Sequence, residues 1–196
     1  NRLDEILKPQ YLGWEIPKYK KQTTDKKIIV FNHRPHKYKN YDWFLKQMDR
    51  MWEHRQDFEV WVPLTDTPTK PYMTNDKYDR FGYFSKLSSC YIGISCKQRY
   101  GGWAISSTDG MSVGVPYMFS DDDYYHELAD SAGIYYKDED EFFNKLNNIL
   151  DSQEVRDEWS EKSLDRFEQG KWETAINQFN DMINETTDKF NIIGDK

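Results

Sequence analysis

Basic side chains crowd one short segment of the sequence, just before a predicted helix. The segment spans positions 33 to 39 and holds His33, Arg34, His36, Lys37 and Lys39. A helix N-terminus favours anions because its first N–H groups are free and its dipole is positive there. The Arg34 guanidinium can chelate phosphate oxygens, and Lys39 adds a second cation. The segment therefore suits a diphosphate, although a solvated basic turn would have the same composition.

A second segment, RYGGWAISSTDGMSVGVPYM at residues 99–118, combines flexible glycines with a single acid. Gly101 and Gly102 would let the backbone approach a ligand closely, at the start of a helix predicted from about Ala104. Asp109 lies about one and a half turns into that helix. A carboxylate beside a nucleotide can accept hydrogen bonds from both hydroxyls of a ribose. We therefore expect Asp109 to hold a ribose, with a solvent-facing helix residue as the alternative.

Strands and helices that alternate along the chain must position these two segments. Continuous apolar runs predict buried strands at 27–31, 58–63, 91–95, 115–119 and 133–136. Helices are predicted at 41–55, 83–89, 104 onward, 123–130, 138–151, 153–168 and 171–186. The loop at 64–79 contains Pro68 and Pro71 and is predicted to lack regular structure. This order predicts an α/β fold, a Rossmann-like parallel sheet with helices on both faces. Such sheets bind ligands at the carboxyl ends of their strands, where the strand order reverses.

Composition and charge limit the partners that the chain can have. Its 196 residues suffice for one domain with a real core, and 34 acids against 27 bases give a net charge of −7. Any phosphate contact is then local, which argues weakly against this chain gripping duplex DNA by itself. Cys90 and Cys96 flank a short apolar run that holds them too far apart to bridge if it is extended, so free thiols are predicted.

The ends of the sequence suggest how the domain is bounded. Residues 1–25 begin without Met and are rich in lysine, which is typical of a linker from a missing amino-terminal domain. The domain itself is predicted at 26–186, with a tail at 187–196. No apolar stretch approaches membrane-spanning length and no signal peptide opens the sequence, so we expect a cytoplasmic protein.

Two patterns could suggest a metal, and both have a simpler interpretation. The acids at 121–123 resemble a divalent-cation clamp, but acids also complement a helix dipole, and a helix is predicted to start there. His33 and His36 lie three positions apart, and no cysteine or third histidine joins them as zinc would require. We therefore predict that no metal is bound.

The order of these parts resembles the carboxy-terminal, nucleotide-sugar-binding domain of GT-B glycosyltransferases, particularly the retaining family 4. In that family a strand is followed by Gly-Arg, four residues and Lys-Gly; here it is followed by His33-Arg34, four residues and Lys39-Asn40. The family motifs Glu-Gly-Phe-Gly and Glu-Ala-Met-Ala-x-Gly-Val-Pro are similar to GGWAISST and DGMSVGVP. The later segment YYHELADSAGIYYKDEDEF resembles the family's Glu-Leu helix with the strand and helix that follow it. The resemblance covers about residues 26–186.

This resemblance implies roles for the charged residues. Arg34 and Lys39 would neutralise the donor diphosphate as the nucleotide leaves, and so would act as the catalytic cations. Asp109 stands where the family's second Glu holds the ribose hydroxyls. Glu127 is a further candidate for a donor contact, with a solvated helix face as the alternative.

The glycine loop departs from the family at one position. Gly101, Gly102 and Trp103 would lie against the donor sugar and phosphates. The family's first Glu, which usually contacts the donor sugar, falls on Gly101. Either another residue supplies that contact or the sugar is held differently.

The resemblance implies the donor-binding domain of a glycosyltransferase. It would move a sugar from a nucleotide diphosphate sugar, most simply a UDP sugar, to an acceptor on the missing amino-terminal domain. Retention of configuration and independence of metal and other cofactors are implied; the acceptor is a glycan, a protein or a modified DNA base. One alternative is a catalytically inactive nucleotide- or nucleotide-sugar-binding module, motivated by Gly101. Another is an unrelated Rossmann-like domain for a plain nucleotide or phosphate.

Overall fold

A computed structural model describes residues 17–100, 102, 104–170 and 172–194. Within these residues one sheet of parallel strands has the order β3-β2-β1-β4-β5-β6. The strands are β1 Lys27–Val30, β2 Phe58–Trp61, β3 Met73–Thr74, β4 Ile92–Ser95, β5 Tyr117–Ser120 and β6 Gly133–Tyr136. Since β1 pairs with both β2 and β4, the strand order reverses between β1 and β4. The predicted α/β, Rossmann-like fold is confirmed.

Helices alternate with most of the strands and follow the last of them. They are α1 Tyr41–His54, α2 Arg80–Leu87, α3 Ile105–Met111, α4 Asp123–Ala129, α5 Glu139–Asp151, α6 Gln153–Gln169 and α7 Trp172–Gly194. In α1 the buried residues recur at helical spacing, at Phe44, Gln47, Met48 and Met51, which gives the helix one face for the sheet. Helix α1 packs against α5, and α2 packs against α3.

The hydrophobic core contains residues of the sheet and the buried faces of α1 and α5, and close packing against Tyr117 explains two of the glycines. All residues of β4 and β5 are buried. Gly93 on β4 and Gly110 on α3 both face the Tyr117 ring, and a Cβ atom at either position would overlap it. Cys90 and Cys96 are buried free thiols, and burial raises the pKa of each to about 12.

One strand was not predicted. Strand β3 lies inside the loop at 64–79 and pairs only at Val60↔Met73 and Trp61↔Thr74. Pro71 precedes β3, so its missing N–H removes no bond from the ladder. Met73 is buried against the core, and this contact holds the two-residue strand at the edge of the sheet.

The chain divides into two compact units. The first, Pro17–Arg166, contains the whole sheet, helices α1 to α5 and most of α6. The described part of the second unit begins at Phe167 and contains α7. The domain bounds expected from the sequence, 26–186, stay a prediction. Among the described residues, no helix is long and apolar enough to span a membrane.

Candidate functional site

The basic segment at residues 33–39 and the glycine-containing segment at residues 99–118 meet at the carboxyl ends of β1 and β4. The backbone N–H of Arg99 donates to the carbonyl oxygen of Tyr38 at 3.1 Å, which joins the loop after β4 to the loop after β1. The Lys39 ammonium donates to Gln98 Oε1 at 2.5 Å. The strand order reverses between these two strands, which is the position where ligands bind in folds of this kind.

Two cations of the first loop lie close together without a carboxylate partner. Arg34 is exposed, and its side chain forms no hydrogen bond or ion pair with another described residue. Lys39 is half-buried; burial and, second, the charge of Arg34 lower the pKa of its ammonium. An anion bound between them would relieve this repulsion, so the phosphate-binding role expected of the pair stays a prediction.

His33 belongs to the basic segment in sequence but not in chemistry. Its ring is buried between two hydroxyls: Nε2 is 2.7 Å from Ser95 Oγ, and Nδ1 is 2.6 Å from Ser106 Oγ. Burial, assisted by the charge of Lys39, lowers the pKa of His33 to about 3. The ring is therefore neutral at physiological pH, so His33 adds no cation to the pair formed by Arg34 and Lys39. It links the ends of β1 and β4 to the first turn of α3.

Gly102 has a backbone conformation that requires glycine. Its φ is +97°, and a Cβ atom there would have no heavy atom within 4 Å, so conformation and not crowding excludes a side chain. Its carbonyl oxygen accepts a hydrogen bond from Gln98 Nε2 at 3.2 Å. Gly101 and Trp103, the other predicted residues of this loop, lie outside the described residues.

Gln98 connects the parts of the site, and no sequence signal pointed to it. The residue is buried, and besides Lys39 and Gly102 it reaches the Tyr125 hydroxyl, with Nε2 as the donor at 3.1 Å. Its backbone N–H donates to the Tyr124 hydroxyl at 3.0 Å. A single polar side chain thus fixes Lys39, the glycine loop and the start of α4 relative to one another.

Asp109 lies half-buried on α3, at the end of a chain of hydrogen bonds. Asn32 Nδ2 donates to the Tyr83 hydroxyl at 2.9 Å, and that hydroxyl donates to Asp109 Oδ2 at 3.3 Å. Burial raises the pKa of Asp109 to about 6, opposed by the Tyr83 hydrogen bond and by the charge of Arg80. Asp109 Oδ1 has no hydrogen-bond partner among the described residues. The carboxylate can therefore accept hydrogen bonds from a ligand.

Among the described residues, no hydrogen bond or ion pair joins Glu127 to Arg34, Lys39 or Asp109. It is exposed on α4, and its backbone carbonyl oxygen accepts from Arg166 Nη2 at 2.9 Å. Its side chain forms no hydrogen bond or ion pair with another described residue. Its role in donor binding stays a prediction.

The acids at 121–123 stand at the start of α4. Asp122 is the N-cap residue; it pairs with Lys97 at 2.9 Å and accepts from Ser120 Oγ at 2.7 Å. Across the described part of the chain, no three His, Cys, Asp or Glu side chains lie close enough together to hold a metal ion.

Comparison with known proteins finds similarity in fold at low sequence identity. No protein-family model matches the sequence, and no curated protein matches it. The solved structures that resemble it include TarM, with a TM-score of 0.70 and 13% identity over 88% of this chain and 38% of that chain. An α,α-trehalose 6-phosphate synthase from Burkholderia multivorans has a TM-score of 0.66 and 11% identity, over 86% of this chain and 44% of that chain. WaaG, a glycosyltransferase involved in lipopolysaccharide biosynthesis, has a TM-score of 0.62 and 12% identity, over 81% and 51%.

These three structures are GT-B glycosyltransferases, and the chain has the fold of one part of them. The chain spans only 38% to 51% of their lengths. A TarM structure from S. aureus is described as a complex that includes UDP.

Proposed function

We propose that this chain is the donor-binding part of a glycosyltransferase that uses a nucleotide diphosphate sugar. The observation that carries the proposal is that two cations and one carboxylate lie in the segments that follow β1 and β4. Among the described residues, Arg34 and Lys39 have no carboxylate partner, and one carboxylate oxygen of Asp109 on the neighbouring helix accepts no hydrogen bond. A nucleoside diphosphate carries anionic phosphates, which cations bind, and ribose hydroxyls, which a carboxylate binds. The GT-B fold of the chain supports the same assignment.

The chemistry proposed for these residues is electrostatic. As the bond between the sugar and the diphosphate breaks, negative charge develops on the leaving phosphate, and Arg34 and Lys39 would stabilise it. Asp109 would orient the nucleotide by accepting from the ribose hydroxyls. Because the cations neutralise the diphosphate directly, the transfer is proposed to need no metal. Retention of configuration is proposed from the resemblance to family 4, and UDP is the first nucleotide to test.

The acceptor would be held by the part of the protein that this chain lacks relative to its structural neighbours. The acceptor class (glycan, protein or modified DNA base) is therefore a property of the full-length protein.

Calorimetric titration of the full-length protein tests the proposal. We expect UDP or GDP to bind with and without Mg²⁺, and Arg34→Ala to weaken that binding by roughly tenfold or more, as for a lost charge-assisted phosphate contact. Arg50→Ala is the matched control, since it removes an exposed arginine of α1 that pairs with Asp140 of α5. If Arg34→Ala and Asp109→Ala each left nucleotide affinity unchanged, the site assignment would be wrong.

An inactive binding module is the second candidate, and Gly101 motivates it, because the acid that contacts the donor sugar in the family is missing there. Such a module would bind the nucleotide sugar without turnover. Release of UDP or GDP from the sugar donor by the full-length protein, followed by chromatography, would exclude it.

A further inference from the structure

A cavity lies at the same edge of the sheet, where α1 and α5 begin. It encloses about 330 Å³. Its lining includes Asn40, Trp43, Lys97, Asp121, Asp122 and Lys137. This volume is near the lower end of the range of about 300–1,000 Å³ for ligand pockets, so the cavity suits a small group rather than a whole nucleotide.

The cavity is adjacent to Lys39, one of the two cations proposed to bind the diphosphate. Asn40 follows Lys39 in the chain, and Lys97 precedes Gln98. Lys39 and Gln98 are themselves joined by the 2.5 Å hydrogen bond that ties the two loops together. A sugar bonded to a phosphate at Lys39 would therefore lie beside the cavity, because residues next to Lys39 and Gln98 in the chain belong to its lining.

The position of Asp109 sets the direction in which a donor would lie. Asp109 is on α3, which packs against α2, whereas the cavity lies between the starts of α1 and α5, which pack against each other. A diphosphate carries the ribose at one end and the sugar at the other. With the ribose at Asp109 and the phosphates at Arg34 and Lys39, the sugar end points toward the cavity.

The lining has the chemistry of a sugar site. Trp43 is partly exposed and stacks parallel on Tyr136, with 5.5 Å between ring centroids, so its indole is held as a rigid platform. Asn40 is the N-cap residue of α1 and has a left-handed backbone with a φ of 56°, and its side-chain amide has no hydrogen-bond partner among the described residues. Asp122 brings a carboxylate that Lys97 and Ser120 hold in place.

The charge of the lining selects among sugars. Four acids and two lysines line the cavity, so a carboxylate or phosphate on the ligand would meet net negative charge. Hydroxyl and amino groups, in contrast, can donate to the carboxylates.

We propose that this cavity holds the sugar of the donor, and that this sugar is neutral or amino-substituted. Asn40 and Trp43 then supply the sugar contact that Gly101 cannot make. This inference rests on the proposed function, because it takes the ribose and diphosphate positions from it.

The test measures how much the sugar adds to nucleotide affinity. Calorimetry on the full-length protein compares UDP, UDP-glucose and UDP-glucuronate, or the GDP series if GDP is the nucleotide bound. Asn40→Gly removes the amide and keeps the left-handed backbone, which glycine adopts readily. Asn177→Ala, at an exposed amide on α7, is the control. In a second readout, 5-fluorotryptophan is incorporated, and the resonance of Trp43, assigned with Trp43→Phe, is followed during both titrations.

The expected result is that UDP-glucose shifts the Trp43 resonance and UDP does not. We also expect UDP-glucose to bind more tightly than UDP-glucuronate, and its gain over UDP to fall severalfold in Asn40→Gly but not in Asn177→Ala. Suppose that UDP binds while UDP-glucose neither shifts the Trp43 resonance nor loses its gain in affinity over UDP in Asn40→Gly. In that case the cavity proposal fails and the proposed function stands. Tighter binding of UDP-glucuronate would overturn the charge argument. If no nucleotide binds, the proposed function fails, and the cavity proposal fails with it.

Discussion

Replacement of Asp109 by Asn should stabilise the protein at neutral pH while it removes the proposed ribose contact. Burial is the main reason that the pKa of Asp109 rises from its ordinary value of 3.8 to about 6. One pKa unit corresponds to about 1.4 kcal/mol, so ionised Asp109 destabilises the folded state by roughly 3 kcal/mol. The substituted amide would carry no charge and would still offer an oxygen to the Tyr83 hydroxyl.

The sign of the pH dependence follows from where the proton is held. Because the pKa is higher in the folded protein than in the unfolded chain, the folded state binds the proton more tightly between about pH 4 and about pH 6. The free-energy cost of ionised Asp109 to the folded state is thus nearly absent at about pH 4 and complete above about pH 6. We expect the stability of Asp109→Asn relative to wild type to rise by about 2 kcal/mol between about pH 4 and about pH 7.5.

Urea unfolding followed by tryptophan fluorescence, repeated over this pH range, measures the difference. Asp165→Asn is the control, because it removes an exposed carboxylate from α6. A difference between wild type and Asp109→Asn that does not change with pH, or that changes in the opposite direction, would refute the reasoning. A change of the same size in Asp165→Asn would show that general charge and not the burial of Asp109 is responsible.

Three further outcomes are expected. Calorimetry should show nucleotide affinity falling roughly tenfold from about pH 7 to about pH 5 as Asp109 is protonated, and an equal fall in Asp109→Asn would contradict this. Gly102→Ala should weaken nucleotide binding by roughly five- to thirtyfold, because a φ of +97° costs an L-residue about 1–2 kcal/mol; unchanged affinity would show that the loop rearranges freely. Tyr117→Phe should lower the free energy of unfolding by about 1–3 kcal/mol, because the buried hydroxyl donates to Asn32 Oδ1 at 3.0 Å; a loss below about 0.5 kcal/mol in urea unfolding would contradict it.

Most of the sheet could be predicted from the sequence because its strands are buried. A parallel strand covered on both faces appears as an unbroken apolar run, and β1, β4 and β6 were all predicted to within one residue at each end. Strand β3 could not be found in this way. It has two residues, lies at the sheet edge and follows Pro71, so only its contacts with β2 define it.

The meeting of the two loops could also be predicted, since the reversal of strand order brings the carboxyl ends of β1 and β4 together. The roles of single side chains inside those loops were less accessible. The sequence shows that His33 lies beside Arg34, but it does not show the protonation state of His33, which burial between Ser95 and Ser106 determines. Gln98 had no periodicity, motif or charge to distinguish it.

The structural roles of His33 and Gln98 could not be predicted from the sequence, and the physical reason is the same for both residues. Each uses its polar atoms to join chain segments that are far apart in sequence, and such a match of donors and acceptors exists only after the sheet has formed. The same comparison separates structural residues from ligand-facing ones. A polar group whose bonds are satisfied within the fold holds the loops in place, whereas Arg34 and Asp109 Oδ1 have no such partner among the described residues. Unsatisfied charge near the carboxyl ends of β1 and β4, more than residue type, therefore identifies the groups that should respond to a nucleotide.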